Sequence, residues 1–138
     1  MGSQLHLVSY GETERSGLSR ELVRSLFPID QGRSNADCWT IQYDSLNGCS
    51  IYVGPHETNS QTLINLWFER PCRDIRLWDA IYAVLDMGSV VLIYPSSSLI
   101  LVAKGVCVQD IPTKLIGGRD SVAQVESTRE MLDVLGLL

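Results

Sequence analysis

The side chains able to do chemistry in this chain are few: Cys38, Cys49, Cys72 and Cys107, with His6 and His56 as the only imidazoles. No two cysteines stand two residues apart, the spacing that lets one turn present two thiolates to a zinc ion. No two histidines stand four apart, as a zincin helix requires. No metal site is therefore expected. Nucleophilic catalysis needs a Ser or Cys beside a base, yet His6 falls in a short first strand and His56 in a polar loop, neither within a recognisable triad. Ser96, Ser97 and Ser98 follow an apolar run but lack the Gly-x-Ser-x-Gly elbow, so they read as a hairpin turn. Cys72, between Pro71 and Arg73, is the thiol that a helix start and a guanidinium could activate; the bland alternative is a packed thiol. Glu69, Asp74, Asp79 and Asp86 offer carboxylates, but Asp79 and Asp86 fall on the polar side of a predicted helix. No Gly-x-Gly-x-x-Gly or Walker pattern cradles a nucleotide. Neither catalytic residues nor cofactors are expected, and two other readings stay open: a small cytoplasmic enzyme using Cys72 or nearby carboxylates, and a regulatory module binding a small ligand.

Acidic loops that carry aromatic residues suggest binding instead. Glu12, Glu14, Asp30, Asp37, Asp44 and Glu57 fall in predicted loops or element ends, with Tyr10, Tyr43 and Tyr52 close by in sequence. Carboxylates steer a basic partner and tyrosine rings anchor it at short range. The expected contacts are Tyr10, Glu12, Glu14, Tyr43, Asp44, Tyr52 and Glu57, centred on the loops around residues 12–14 and 45–48. Against this stands the ordinary role of charged loops, which keep a surface solvated.

The elements that must position these residues follow from hydrophobic periodicity. Residues 4–9 put Leu5 and Leu7 on one face of a short strand, and the polar residues 11–17 make a loop. Ser19 caps a helix whose apolar positions are Leu22, Val23, Leu26 and Phe27, and Pro28 stops it. Trp39, Ile41 and Tyr43 alternate with polar residues, as do Cys49, Ile51 and Val53. Asn47-Gly48 between them predicts a tight hairpin turn with positive φ angles. In the next strand Leu63, Asn65, Trp67 and Glu69 share one face, while Ile64, Leu66 and Phe68 share the other. Asp74 caps a helix with the stripe Ile75, Trp78, Ile81, Tyr82 and Leu85, stopped by Gly88.

Residues 90–94 and 99–102 are continuous apolar runs, expected as strands buried on both faces at the centre of a sheet. Residues 110–115 predict one helical turn closed by Gly117-Gly118, and residues 122–125 a last strand. Ser127 and Glu130 form a capping box ahead of a terminal helix carrying Met131, Leu132, Val134 and Leu135. The expectation is an α+β fold: a single globular domain over residues 1–138, its sheet mixed or mainly antiparallel with about six or seven strands, plus three or four helices.

Length and charge narrow the partners. The 138 residues suit one domain, and 11 Lys and Arg against 16 Asp and Glu give a net charge of −5, a poor match for nucleic acid or an anionic membrane. No apolar run reaches the length of a membrane span. Residues 1–10 show neither a basic start nor a long apolar stretch, so a cytoplasmic protein with free thiols is expected.

The segment Glu69-Arg70-Pro71-Cys72-Arg73-Asp74-Ile75-Arg76-Leu77-Trp78-Asp79-Ala80 is followed by Gly88, Val90-Val91-Leu92-Ile93-Tyr94-Pro95, the run at 99–102 and the stretch from Pro112 to Gly117, all within residues 69–117. It resembles the core of small proteobacterial immunity proteins encoded beside secreted toxins, including those paired with type VI secretion effectors. The resemblance implies a non-enzymatic role in interbacterial competition: stoichiometric binding of a cognate toxin that covers its active site or blocks the closure the toxin needs. It identifies no contact residue. The negative charge suits a toxin with a basic surface.

Overall fold

The computed structural model describes residues 4–10, 17–94, 99–116 and 121–137. The chain forms strands β1 (Leu5–Ser9) and β2 (Leu18–Ser19), helix α1 (Arg20–Ser25), strands β3 (Cys38–Gln42), β4 (Gly48–Pro55) and β5 (Thr62–Glu69), and helix α2 (Ile75–Leu85). Strands β6 (Val90–Ile93) and β7 (Leu99–Ala103), helix α3 (Thr113–Ile116), strand β8 (Ser121–Val125) and helix α4 (Thr128–Leu135) follow. Short 3-10 turns occupy Gln31–Arg33 and Val108–Asp110. One sheet runs β3-β4-β5-β1-β6-β7-β8, with β2 pairing β5. All pairs are antiparallel except β7 with β8. The α+β expectation holds, with one more strand than anticipated because the two-residue β2 adds to the seven in line.

Strand alternation sorts the sheet into two unlike faces. On one, Leu5, Leu7, Ile41, Ile51, Leu66, Phe68, Leu92 and Leu101 are fully buried against Leu77, Ile81, Val84 and Leu85 of α2 and Met131 of α4. On the other, Val91, Ile100, Val102 and Ile111 form a smaller cluster, joined by Ile93, Leu115, Ile116 and Val122. A parallel pair needs a crossover, and the β7–β8 crossover supplies Ile111, Leu115 and Ile116 to that cluster. The apolar runs of β6 and β7 are thus buried on both sides, as expected, but they do not occupy the middle of the sheet. That place belongs to β1, between β5 and β6.

Two local expectations in the strands change. The Asn47-Gly48 hairpin joins β3 to β4, but through residues 43–47, with no positive φ at Gly48. The Asp44 carboxylate accepts the backbone N–H groups of Leu46 and Asn47, at 2.9 and 3.0 Å, and so shapes the loop as an Asx turn. Gly48 is needed for close approach, since a Cβ there would lie 2.9 Å from the Ile41 carbonyl oxygen. In β5 the alternation breaks: Leu63 is buried and Ile64 exposed, because Gly54 pairs with Asn65 and Pro55 with Leu63, leaving Ile64 as the extra residue of a bulge.

The helices also depart in detail. Leu22 and Ile75, expected on apolar stripes, are 59% and 53% exposed, and Leu77, Ala80 and Val84 complete the buried face of α2. Ser19, Asp74 and Ser127 cap their helices as expected, each accepting a backbone N–H. Only half of the terminal capping box forms: the Ser127 hydroxyl accepts the Glu130 N–H at 3.1 Å, without a return bond from the Ser127 N–H to the Glu130 carboxylate. Gly117 and Gly118 lie outside the described residues, as do Ser96 to Ser98.

Candidate functional site

A single rung of paired residues crosses the sheet from edge to edge: Cys38, Tyr52, Trp67, His6, Ile93, Ile100 and Val122. All seven point away from α2 and α4. The last three belong to the apolar cluster under the crossover. The first four are each only partly buried. Tyr52 and Trp67 join neither apolar cluster, so this half of the sheet presents aromatic side chains toward solvent.

The aromatic groups form a continuous row. The Tyr52 and Trp67 ring centroids are 5.2 Å apart with planes tilted by 39°, and the His6 imidazole stacks on Trp67 at 5.7 Å and 14°. Two residues along β5, the Glu69 carboxylate accepts a hydrogen bond from the Tyr52 hydroxyl at 3.4 Å. Cys38 and then Glu69 push the Tyr52 hydroxyl above its ordinary pKa, while partial burial lowers that of His6. At neutral pH the row therefore holds neutral rings beside one exposed carboxylate. Trp67 Nε1 is buried and has no hydrogen-bond partner among the described residues. Gly54 completes the surface, for a Cβ there would collide with the Asn65 side chain lying across it. Ring faces next to a carboxylate form a receptor for an ammonium or guanidinium group.

Tyr43 and Asp44 lie on the opposite face, at the hairpin end, in a second cluster. The Arg76 guanidinium stands 5.0 Å from the centre of the Tyr43 ring, 2.6 Å from Asp74 and 3.4 Å from Asp44. The hydrogen bonds from Arg76 hold the Asp74 carboxyl down at about 2, and those from Asn47 and Leu46 lower Asp44. Burial raises Tyr43, whose buried hydroxyl has no partner among the described residues. The Asp74 carboxylate is thus committed to Arg76 and to the N-terminus of α2.

Cys49 and Cys72 adjoin this cluster. Burial pushes the Cys49 thiol up to about 12, with Cys72 as the neighbouring group that acts on it. Cys38, flanking the same hairpin as Cys49, points to the other face.

The remaining expected contacts are dispersed. Tyr10 packs on the crossover cluster and donates its N–H to the Ser89 carbonyl at 2.9 Å. Glu57 is exposed in the β4–β5 loop, beside His56, whose Nδ1 accepts the Thr58 N–H at 3.2 Å. Glu12 and Glu14 lie outside the described residues. Of the expected set, the open row contains Tyr52. Sequence reasoning did not single out Trp67 or His6 as binding residues, although the placement of Trp67 with Asn65 and Glu69 on the polar side of β5 carried the signal.

Comparison of the chain with protein-family models, curated proteins and solved structures returns no match. Among the described residues, no group of three or more His, Cys, Asp or Glu is placed to hold a metal ion, and no helix is long and apolar enough to cross a membrane.

Proposed function

We propose that this chain is an immunity protein that binds a cognate secreted bacterial toxin stoichiometrically in the cytoplasm and occludes its active site. The observation that carries the reading is the open row of Tyr52, Trp67 and His6 with Glu69 at its side. A stiff sheet displays these rings at low entropic cost, and large aromatic anchors beside a charge dominate the affinity of tight protein interfaces. The occupant that fits is a basic patch on a protein, its Lys or Arg side chains seated on the rings and paired with Glu69. A net charge of −5 adds long-range attraction toward such a surface. The resemblance of residues 69–117 to toxin-paired immunity proteins supplies the biological role.

Co-expression with the product of the adjacent gene tests the reading: the full chain should rescue growth from its toxicity and co-purify with it in a fixed ratio. Loss of neither growth inhibition nor free toxin on co-expression overturns it.

A further inference from the structure

Cys49 and Cys72 are distant in sequence and are brought together by the backbone. Ser50 pairs with Glu69 at the end of the β4–β5 ladder. Beyond it Arg70 takes a left-handed φ of 52°, rare outside glycine, and the chain turns toward α2 on the face that Cys49 also occupies. Trp78 Nε1 fixes the turn by donating to the Cys72 carbonyl at 3.0 Å. The two cysteines end as neighbours, both partly buried and packed against the same core cluster. Cys72 also lines a cavity of about 500 Å³ with Pro71, Arg73, Trp78 and Tyr94, which gives a small reagent a route to its sulfur.

We propose that Cys49 and Cys72 are an oxidative modification site that closes to an intramolecular disulfide when it meets a low-molecular-weight disulfide such as oxidised glutathione. The Cys72 thiolate attacks one sulfur of the reagent from the cavity, breaking its S–S bond, forming a mixed disulfide and releasing one small thiol. The Cys49 sulfur then attacks Cys72, expelling the second small thiol. Two protein thiols are oxidised and one small disulfide is reduced to two thiols, which carry away both protons. Cys49, held protonated by burial, is the resolving rather than the first-attacking group. The bond ties the start of β4 to the entrance of α2, constrains the unfolded chain, and raises Tm by roughly 5–10 °C.

Incubation of the full chain with excess oxidised glutathione, followed by alkylation and mass mapping, tests the site. Chymotryptic cleavage after Tyr43, Tyr52 and Phe68 separates Cys38, Cys49 and Cys72 into different peptides. The expected result is a Cys49–Cys72 linked pair, Cys38 and Cys107 still alkylated, and a Tm increase reversed by dithiothreitol. The double variant Cys38→Ser/Cys107→Ser should form the same bond, and Cys49→Ser should stop at glutathione on Cys72. Recovery of Cys49 and Cys72 as free thiols, as persistent mixed disulfides, or linked instead to Cys38 or Cys107 overturns the proposal. Should Cys49→Ser fail to fold, the double variant decides alone.

Discussion

Tyr52 and Trp67 sit directly opposite each other on β4 and β5, their rings 5.2 Å apart on the face of the sheet turned away from α2 and α4. Aromatic pairs usually serve a core, yet the core of this protein closes without them: Ile51, Leu66 and Phe68, their immediate neighbours in sequence, are fully buried on the other side. Truncating Trp67 therefore separates binding from folding. Trp67→Ala should weaken toxin binding by about 30-fold or more, the scale of a central hot spot, with only a small fall in Tm. Glu69→Lys should slow association most strongly at low salt, because it reverses the charge offered to a basic surface. Titration calorimetry and stopped-flow mixing at two ionic strengths measure both, and unchanged affinity in Trp67→Ala removes the row from the interface.

The stack of His6 on Trp67 introduces a pH dependence. Burial lowers the folded pKa of His6 below its ordinary 6.5, so just below pH 6.5 the unfolded chain binds the proton more readily than the folded one. Stability from the neutral imidazole is complete above pH 6.5 and is lost as pH falls from there toward the folded pKa. Protonation also places a positive charge beside the rings and should weaken a cationic partner over the same range. Thermal melts of the wild type and His6→Gln should run parallel above pH 6.5 and converge or cross below it. Parallel curves throughout would remove His6 as the titrating group.

How much of this was legible beforehand depends on how far apart the cooperating residues lie. The helix caps Ser19, Asp74 and Ser127 depend on neighbours within three positions, and the sequence pattern located them. The bulge at Ile64 depends on its partner strand, where Gly54 and Pro55 sit against Asn65 and Leu63, so alternation within β5 misplaced Leu63. The aromatic row required the register of three strands at once, and Cys49 met Cys72 only through the turn at Arg70. Glu69 showed the same limit: its charge was visible, but not that Tyr52 would bond to it.

Asp74 connects a helix cap to the Tyr43 cluster and makes a second pH prediction, in the acid range. Its carboxylate accepts the backbone N–H of Arg76 at 2.9 Å and pairs with the Arg76 guanidinium at 2.6 Å. These bonds hold its pKa at about 2 against an ordinary 3.8. A depressed folded pKa contributes stability that is present above pH 3.8 and lost as pH falls toward 2. Asp74→Ala should lower Tm at neutral pH by a few degrees, about what a lost N-cap costs, and should flatten the acid limb of the Tm profile between these values. An acid limb identical to that of the wild type would assign the titration to another carboxylate.

Two glycines in β4 offer a matched pair in which crowding has opposite consequences. A Cβ on Gly48 would lie 2.9 Å from the Ile41 carbonyl oxygen and 2.7 Å from Gln42 Oε1. Gln42 can rotate away, but the Ile41 carbonyl is backbone within the β3–β4 ladder, and moving it strains the Ile41–Cys49 and Gln42–Gly48 pairs. A Cβ on Gly54 meets only the exposed Asn65 amide, the far end of a side chain that can turn toward water. Gly48→Ala should cost about 1–2 kcal/mol, as overpacking against fixed atoms does, and adding Gln42→Ala should not restore it. Gly54→Ala should stay within about 0.5 kcal/mol of wild type, since the lost glycine entropy of the unfolded chain offsets the displaced amide. Urea denaturation of the three variants measures this difference, and equal losses at the two positions would show that backbone rigidity at Ile41 does not set the cost.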